Sequence, residues 1–397
     1  MSETKYIVLR QQSPIVPEAG NLGTAAGPSA EAMAAGPEVL EIQETTLTKA
    51  ERDDLRRDPR TRAIAEPMPL KLIEPTAPPA DPADAANETW GVKAVGASES
   101  PFDGTGITVA VLDTGIDKDH PAFQGVELVR RNFTAESDDD LNGHGTHCAG
   151  TIFGKDVDDL RIGVARNIRR ALIAKVLGVG GGTSATLAQA IQWAVNEGAH
   201  VISMSLGIDF PGFVESLVND RGLRIEPATS IALEGYRANV NLFTELASFV
   251  RAGGAFMQGT VIVAASGNES NRPQFEIAVA PPAAGTGIVS VGALRQSANG
   301  FAVADFSNNQ VNISAPGVDV VSAFPGGGLQ SLNGTSMATP HAAGVAALWA
   351  QKMRDQTGRV DSERLMVRLL SSGDTAPLVA GSEVDDVGMG IVQAPLN

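Results

Sequence analysis

Apolar residues gather in strand-length runs between residue 107 and about residue 294. The runs are ITVAVLD (107–113), ALIAKVL (171–177), HVISMSL (200–206), TVIVAAS (260–266) and GIVSVGAL (287–294). Each is nearly continuous, and strands that are apolar on both faces belong to a parallel sheet covered by helices on both sides. Helix-like stretches such as SATLAQAIQWAVNEG (184–198) separate them. The pattern predicts an α/β fold: a doubly wound, mainly parallel sheet with helices on both faces.

The first 75 residues predict a separate, small α+β module. Thr48 precedes Glu51 by three positions, which is the spacing of a capping box and predicts a short charged helix that runs to about Arg57. The strand-like stretches of this module are KYIVLR (5–10), EVLEIQ (38–43) and two shorter ones near 60–65 and 69–73.

Two stretches rich in Ala and Pro offer little from which a core could be built. Residues 13–38 predict a flexible connection within the module, and TAPPADPADAAN (76–87) predicts a linker between domains. The chain therefore divides into a module at residues 1–75 and a larger domain at residues 88–397.

Composition narrows the setting of the protein. A net charge of −16 argues against a nucleic-acid partner, which would meet a basic face more readily. The single cysteine, Cys148, excludes an intramolecular disulfide, so the fold must depend on its core. The N-terminus lacks the basic start and apolar stretch of a secretory signal, and no apolar run reaches the ~20 residues of a membrane helix. We expect a cytoplasmic protein without a membrane partner, with secretion after processing as the alternative.

Four polar residues stand at predicted element boundaries, where a buried sheet presents side chains to a cleft. Asp113 ends the first core strand, His144 lies in DLNGHGTHCAG, Asn268 follows a strand in AASGN, and Ser336 lies in NGTSMATP. A serine hydroxyl is a poor nucleophile until a base removes its proton, and a histidine held by a carboxylate is such a base. The Asn268 amide and the Ser336 N–H are candidate donors to the oxyanion that forms. Taken alone, Ser336 would be read as a helix N-cap.

The segments DTGID, NGHGTHCAGT and NGTSMATPHAAG resemble the three catalytic signatures of the subtilisin family (subtilases) of serine proteases, in the order Asp, His, Ser of that family. The resemblance covers roughly residues 88 to 395, and the segment around His144, with Cys148 four positions later, is closest to the proteinase K branch. It implies a serine endopeptidase in which Asp113, His144 and Ser336 form the triad and Asn268 donates to the oxyanion.

The resemblance also implies how a polypeptide substrate binds. Ser205, Leu206 and Gly207 would pair with an extended substrate as an added strand, and Gly180, Gly181 and Gly182 would supply the opposing edge. Ala264, Ala265 and Ala280 would line an apolar pocket for the side chain before the scissile bond. Glu269 at the rim of that pocket would admit a basic side chain instead.

The module at residues 1–75 resembles the family's propeptide, which implies that it is an inhibitor of its own catalytic domain. We expect the chain to cut itself in the linker, at about residues 76–90. Residues 208–236 are longer than the family usually has after the substrate strand, and they precede a predicted helix at 237–254. We expect this long loop to wall the cleft and narrow substrate choice.

Two acidic stretches bear on metal binding. The family's tight calcium site would need an aspartate at Ala122 and an asparagine at Val157, so we expect no required cofactor and no metal ligand. Weak calcium binding by Asp156, Asp158 and Asp159 is the alternative. The acidic run SDDDL (137–141) is predicted to be a solvated loop, again with cation binding as the alternative.

Two other functions stay open on the sequence. The protein could be a maturation protease or exopeptidase that acts on one partner. It could also be a non-catalytic protein that uses a subtilase cleft to hold peptides, although the complete set of Asp, His, Ser and Asn argues against that reading.

Overall fold

The computed structural model describes residues 3–12, 39–73, 87–253 and 258–397. The flexible connection predicted at 13–38 therefore lies wholly outside the described residues, and so does all of the linker predicted at 76–87 except Asn87. None of the helices among the described residues combines the length and the apolar character that a bilayer crossing requires.

The described residues of the N-terminal module form one three-stranded antiparallel sheet and one helix. Its elements are β1 (Thr4–Gln12), β2 (Val39–Leu47), α1 (Lys49–Arg57), β3 (Thr61–Ala65) and β4 (Pro69–Leu72). β1 lies between β2 and β3. The predicted capping box is present, because the Thr48 side chain accepts from Glu51 N and the Glu51 carboxylate accepts from Thr48 N. β4 belongs to a different sheet, which it forms with strands of the larger domain.

Strands and helices alternate through most of the larger domain. They are α2 (Trp90–Ala94), β5 (Thr108–Asp113), β6 (Glu127–Asn132), α3 (His144–Phe153), β7 (Arg170–Lys175), β8 (Gly182–Thr183), α4 (Ser184–Asn196), β9 (Val201–Met204), β10 (Leu206–Ile208), α5 (Phe210–Asn219), α6 (Ile225–Gly253), β11 (Val261–Ala265), β12 (Val289–Ser297), β13 (Gly300–Val303), β14 (Ile313–Pro316), β15 (Val320–Phe324), β16 (Gly328–Leu332), α7 (Thr335–Thr357), α8 (Ser362–Ser371) and α9 (Val384–Val387).

The central sheet confirms the predicted α/β class. Its order is β13-β12-β11-β9-β5-β7-β6, with β14 also paired to β12. Every pairing in it is parallel except that of β12 with β13. Each of the five predicted apolar runs supplies a strand of this sheet, and β10 continues the run that contains β9.

The two faces of the sheet belong to two buried apolar clusters, which explains why its strands are apolar throughout. On β5, Val109 and Val111 join the cluster that contains residues of α3 and α7. Ala110 and Leu112 join the opposite cluster, which contains residues of α4 and α6. Helices thus cover both faces, and the polar residues that follow the strands are brought to one edge.

The insertion at 208–236 is largely helical. We expected a long loop before a helix at 237–254, but α5 occupies much of the insertion and α6 begins at Ile225. Pro227 is compatible with this start because the first turn of a helix does not need its N–H groups. Ala228 and Ala232, one turn apart, bury the same face of the early helix. The predicted start of the helix at 237 was therefore wrong.

The module docks on the outer side of α4 and α6. Ile7, Leu9 and Leu40 of the module share a buried apolar cluster with Ala185 of α4 and Leu242 of α6. Because of this contact, the C-terminal end of the module lies at the edge of the larger domain that contains the candidate catalytic residues.

Candidate active site

Asp113 and His144 meet in a buried pair at the end of β5. Asp113 is the last residue of β5 and His144 is the first residue of α3. His144 Nδ1 lies 2.8 Å from Asp113 Oδ1, and both side chains are 1% exposed. Gly145 allows this close approach, because a Cβ there would lie 2.2 Å from Gly115 O and 3.2 Å from Asp113 Cβ.

Burial is the largest single effect on the pKa of His144 and lowers it, but the charge and hydrogen bond of Asp113, together with the Cys148 thiol, outweigh burial, so the net pKa lies well above the ordinary value for histidine. The other ring nitrogen, Nε2, is buried and has no hydrogen-bond partner among the described residues. In the neutral ring, Nε2 is the atom that can accept a proton from a group that turns toward it, and the raised pKa makes it a stronger base.

Ser336 is the second residue of α7 and is fully buried. Its hydroxyl oxygen lies 3.1 Å from the carbonyl oxygen of Ile73 and 3.3 Å from that of Ser205. The hydroxyl thus faces the end of the N-terminal module rather than His144. Hydrogen bonds between a nucleophile and its base often tighten only when the reaction complex forms.

The segment after the module's sheet lies in the cleft as an added antiparallel strand. β4 stands between β10 and β8. Leu72 and Lys71 pair with Leu206 and Gly207 on one side, and Leu70 pairs with Gly182 on the other. These pairings involve strands that the sequence assigned to substrate binding, and the occupant is the protein's own residues 69–73.

Ile73 fills the position next to Ser336. It is 3% exposed, and its Cδ1 atom would lie 3.6 Å from a Cβ placed on Gly207. Ala264 and Ala265 are buried at the end of β11, whereas Ala280 is half-buried and donates its N–H to Ser266 O at 3.3 Å. Ser205 is buried, and its hydroxyl donates to the carbonyl of Ser336 at 3.1 Å. Gly180 and Gly181 line the cleft beside Ile73 and β4.

The residues around this cleft match a known family of enzymes. The profile of the subtilase family matches residues 104–377, which is more than half of the chain. The chain belongs to the subtilase family. Like its relatives, it is a subtilisin-like serine endopeptidase, and its substrates are polypeptides.

Named relatives support the assignment. An alkaline protease of Alkalihalobacillus alcalophilus is 34% identical over 322 residues, which are 79% of this chain and 70% of that protein. Subtilisin Savinase of Lederbergia lenta is 37% identical over 270 residues, 66% of this chain and 84% of its own. An intracellular serine protease of Paenibacillus polymyxa is 32% identical over 256 residues, 62% of this chain and 68% of its own. The predicted non-catalytic alternative is set aside by these findings.

Asn268 is held in a fixed orientation beside Ser336. Its side-chain oxygen accepts from both the N–H and the hydroxyl of Thr335, each at 2.9 Å. Thr335 directly precedes Ser336, so the amide is hydrogen-bonded to the start of the helix that contains Ser336. Asn268 also lines the cleft.

Asp140 was missed by the sequence analysis. Within the run 137–141, which we expected to be a solvated loop, Asp140 is 6% exposed. Its carboxylate accepts from Thr146 N and Oγ1, from Gly143 N and from Thr114 Oγ1. These bonds join the turn after Asp113 to the start of α3, and so fix the distance between Asp113 and His144. A run of three aspartates gives no local signal for this role.

Glu269 has a different partner from the one expected. The Lys71 ammonium lies 3.5 Å from the Glu269 carboxylate and 3.2 Å from that of Asp209. Lys71 is two residues before Ile73, and side chains two apart on a strand share a face. The acidic pair thus meets the residue two positions before Ile73, while Ile73 itself lies next to Ser336.

Cys148 packs between the two catalytic candidates. Its sulfur lies 3.4 Å from the carbonyl oxygen of Ser336 and 3.8 Å from His144 Nδ1. Burial raises the pKa of the thiol, which keeps it protonated and unreactive at neutral pH. Asp113, His144 and Cys148 are the one group in the described part of the chain whose ligand atoms could surround a metal ion.

Proposed function

We propose that this protease cuts its own chain after Ile73, and that residues 1–73 then inhibit it until they are released. The observation that carries the proposal is the 3.1 Å distance between Ser336 Oγ and the carbonyl oxygen of Ile73. The antiparallel pairing of β4 with β10 supports it, because an extended peptide in a protease cleft binds as an added strand. The self-cleavage predicted at 76–90 moves to the Ile73–Glu74 bond, and Glu74 lies outside the described residues.

The proposed reaction uses the four residues predicted from the sequence. Ser336 Oγ attacks the carbonyl carbon of Ile73 while His144 Nε2 takes the hydroxyl proton. Asp113 holds the imidazole through Nδ1 and stabilises the imidazolium. The oxyanion accepts from the Asn268 amide and from the N–H of Ser336. His144 then protonates the leaving amine of Glu74, and water hydrolyses the acyl-enzyme by the reverse roles.

If external substrates pair with the cleft in the same register as residues 69–73, the cleft will prefer particular side chains at two positions. An apolar residue would stand before the scissile bond, because Ile73 is buried there. A lysine or arginine would be favoured two residues earlier by Asp209 and Glu269. Both ion pairs are partly exposed, so we expect this second preference to be small. Whether one maturation partner is the natural substrate, and whether the protein is cytoplasmic, stay predictions.

Mapping of the N-terminus tests the cleavage site. Incubation of the full chain should yield a fragment that begins at Glu74, measured by intact mass and N-terminal sequencing. Ile73→Leu should be cut at a similar rate. Ile73→Asp should be cut at least about 100-fold more slowly, because it places an unpaired carboxylate in a buried apolar position. A new N-terminus within 76–90 that forms equally fast in Ile73→Asp would refute the register.

We also propose that the enzyme needs no tightly bound calcium. Ala122 and Val157 stand where the family's ligands would be, and both are buried apolar residues. The Lys155 ammonium donates to the carbonyl of Gln124 in the same region, so a fixed positive charge is already present.

Removal of calcium tests this part of the proposal. Addition of a calcium chelator to the purified protein should leave the Tm unchanged in a thermal melt, because no ligand-linked stabilisation would be lost. Calcium-saturated chelator is the control for ionic strength. A Tm that falls with the chelator and recovers with excess calcium would show that a tight site exists.

A further inference from the structure

Met68 lies six residues before the proposed scissile bond and is fully buried. It belongs to the same apolar cluster as Phe213 and Leu217 of α5 and Ala232 of α6. The insertion that follows the substrate strand contains these three residues. A methionine five residues upstream of Ile73 therefore fills a pocket on the catalytic domain, beyond the part of the cleft that β10 covers.

Gly235 explains how α6 makes room for this side chain. A Cβ placed on Gly235 would lie 3.4 Å from Met68 Sδ and 3.7 Å from the Phe213 ring. A glycine inside a helix is less favourable than alanine by about 1 kcal/mol. Its place in the middle of a 29-residue helix fits a backbone that forms the wall of a pocket.

The backbone at Met68 is held as firmly as its side chain. Ser184, the first residue of α4, donates its N–H to Met68 O at 3.0 Å and accepts from Met68 N through its hydroxyl at 3.0 Å. These two bonds continue the ladder between β4 and β8. One turn after Gly235, the buried Asn239 donates to Glu66 O at 2.9 Å. The catalytic domain thus binds the chain from Glu66 to Ile73 through backbone hydrogen bonds and side-chain packing.

We propose that the insertion adds a specificity subsite to the cleft, which takes an unbranched apolar side chain such as methionine at the sixth residue before the scissile bond. This inference rests on the proposed function, because it assumes that substrates enter in the register of residues 66–73. Met68 would then occupy a subsite that also binds substrate side chains, in addition to its role in docking the module on the catalytic domain. The insertion would contact the substrate side chain through Phe213 and Gly235, while Ser184 of α4 holds the substrate backbone.

Three fluorogenic peptides test the subsite on the protease formed by incubation of the full chain. They are Leu-Lys-Leu-Ile, Glu-Pro-Met-Pro-Leu-Lys-Leu-Ile and the second sequence with alanine in place of methionine, each carrying the reporter after Ile. We expect kcat/KM to be roughly tenfold higher for the methionine peptide than for the alanine peptide, the effect of burying the larger side chain. Equal values would overturn the subsite while hydrolysis of the short peptide upheld the proposed function.

Two variants at Gly235 locate the preference. Gly235→Leu should fill the pocket, so that the methionine and alanine peptides become equal substrates while the short peptide is still hydrolysed. Gly235→Ala should keep the methionine preference, because a Cβ at 3.4 Å from sulfur is an ordinary contact. A preference that persists in Gly235→Leu would overturn the pocket assigned here. Failure of the wild-type protein to hydrolyse any of the peptides would count against the proposed release of the module, and against this inference with it.

Discussion

The Ser336→Ala chain should stay at full length under conditions in which the wild-type chain is cut after Ile73. Without the hydroxyl, no group in the proposed site can form the acyl-enzyme with the Ile73 carbonyl. We expect self-cleavage to fall by roughly 10⁶-fold, the magnitude known for the triad serine of subtilisin itself. Intact mass of both proteins at matched times and concentrations measures the effect.

Two controls separate this outcome from misfolding and from cleavage by another molecule. The alanine removes one donor from a site where it faces Ile73 O and Ser205 O, which should cost about 1 kcal/mol of stability and leave the fold intact by circular dichroism. Addition of a trace of processed wild-type enzyme should cut Ser336→Ala only slowly, because Ile73 is buried in its own cleft. A Ser336→Ala chain that cuts itself at the wild-type rate would exclude Ser336 as the nucleophile.

The parts of the fold that were predictable from sequence are those with a local signal. Runs such as 107–113 and 260–266 are almost continuously apolar because both sides of the strand are covered, and so they reveal the sheet. A residue that ends such a run, like Asp113, must stand at the edge of the sheet. The pair of Asp113 with His144 was therefore accessible from the motifs and their order.

The parts that were not predictable depend on contacts between distant segments. Asp140 is buried because N–H and hydroxyl groups of two other turns converge on it, although its own neighbours are acidic and exposed. Gly235 and Pro227 interrupted the helical pattern of the insertion and concealed the start of α6. Lys71 pairs with Asp209 and Glu269, which are far from it along the chain, so no sequence spacing could have indicated these contacts.

Asn268→Ala should reduce kcat by about 10² to 10³-fold with little change in KM, the magnitude known for the oxyanion asparagine of subtilisin. The loss falls on kcat because the amide meets charge that develops only in the transition state. Two bonds from Thr335 already fix the amide, so the enzyme does not have to reorganise it during the reaction. Rates on the Leu-Lys-Leu-Ile peptide over a range of concentrations give both constants.

Two further variants test whether catalysis depends on the orientation of the Asn268 amide as well as on its presence. Thr335→Val keeps Asn268 and the backbone bond at 2.9 Å but removes the hydroxyl that accompanies it. We expect it to lower kcat by about tenfold, since one of two bonds that orient the amide is lost. Asn268→Asp should be as slow as Asn268→Ala or slower, because a carboxylate of the same shape repels the oxyanion. Wild-type kcat in Asn268→Ala would mean that the Ser336 N–H alone stabilises the oxyanion, and that Asn268 serves only to hold the start of α7.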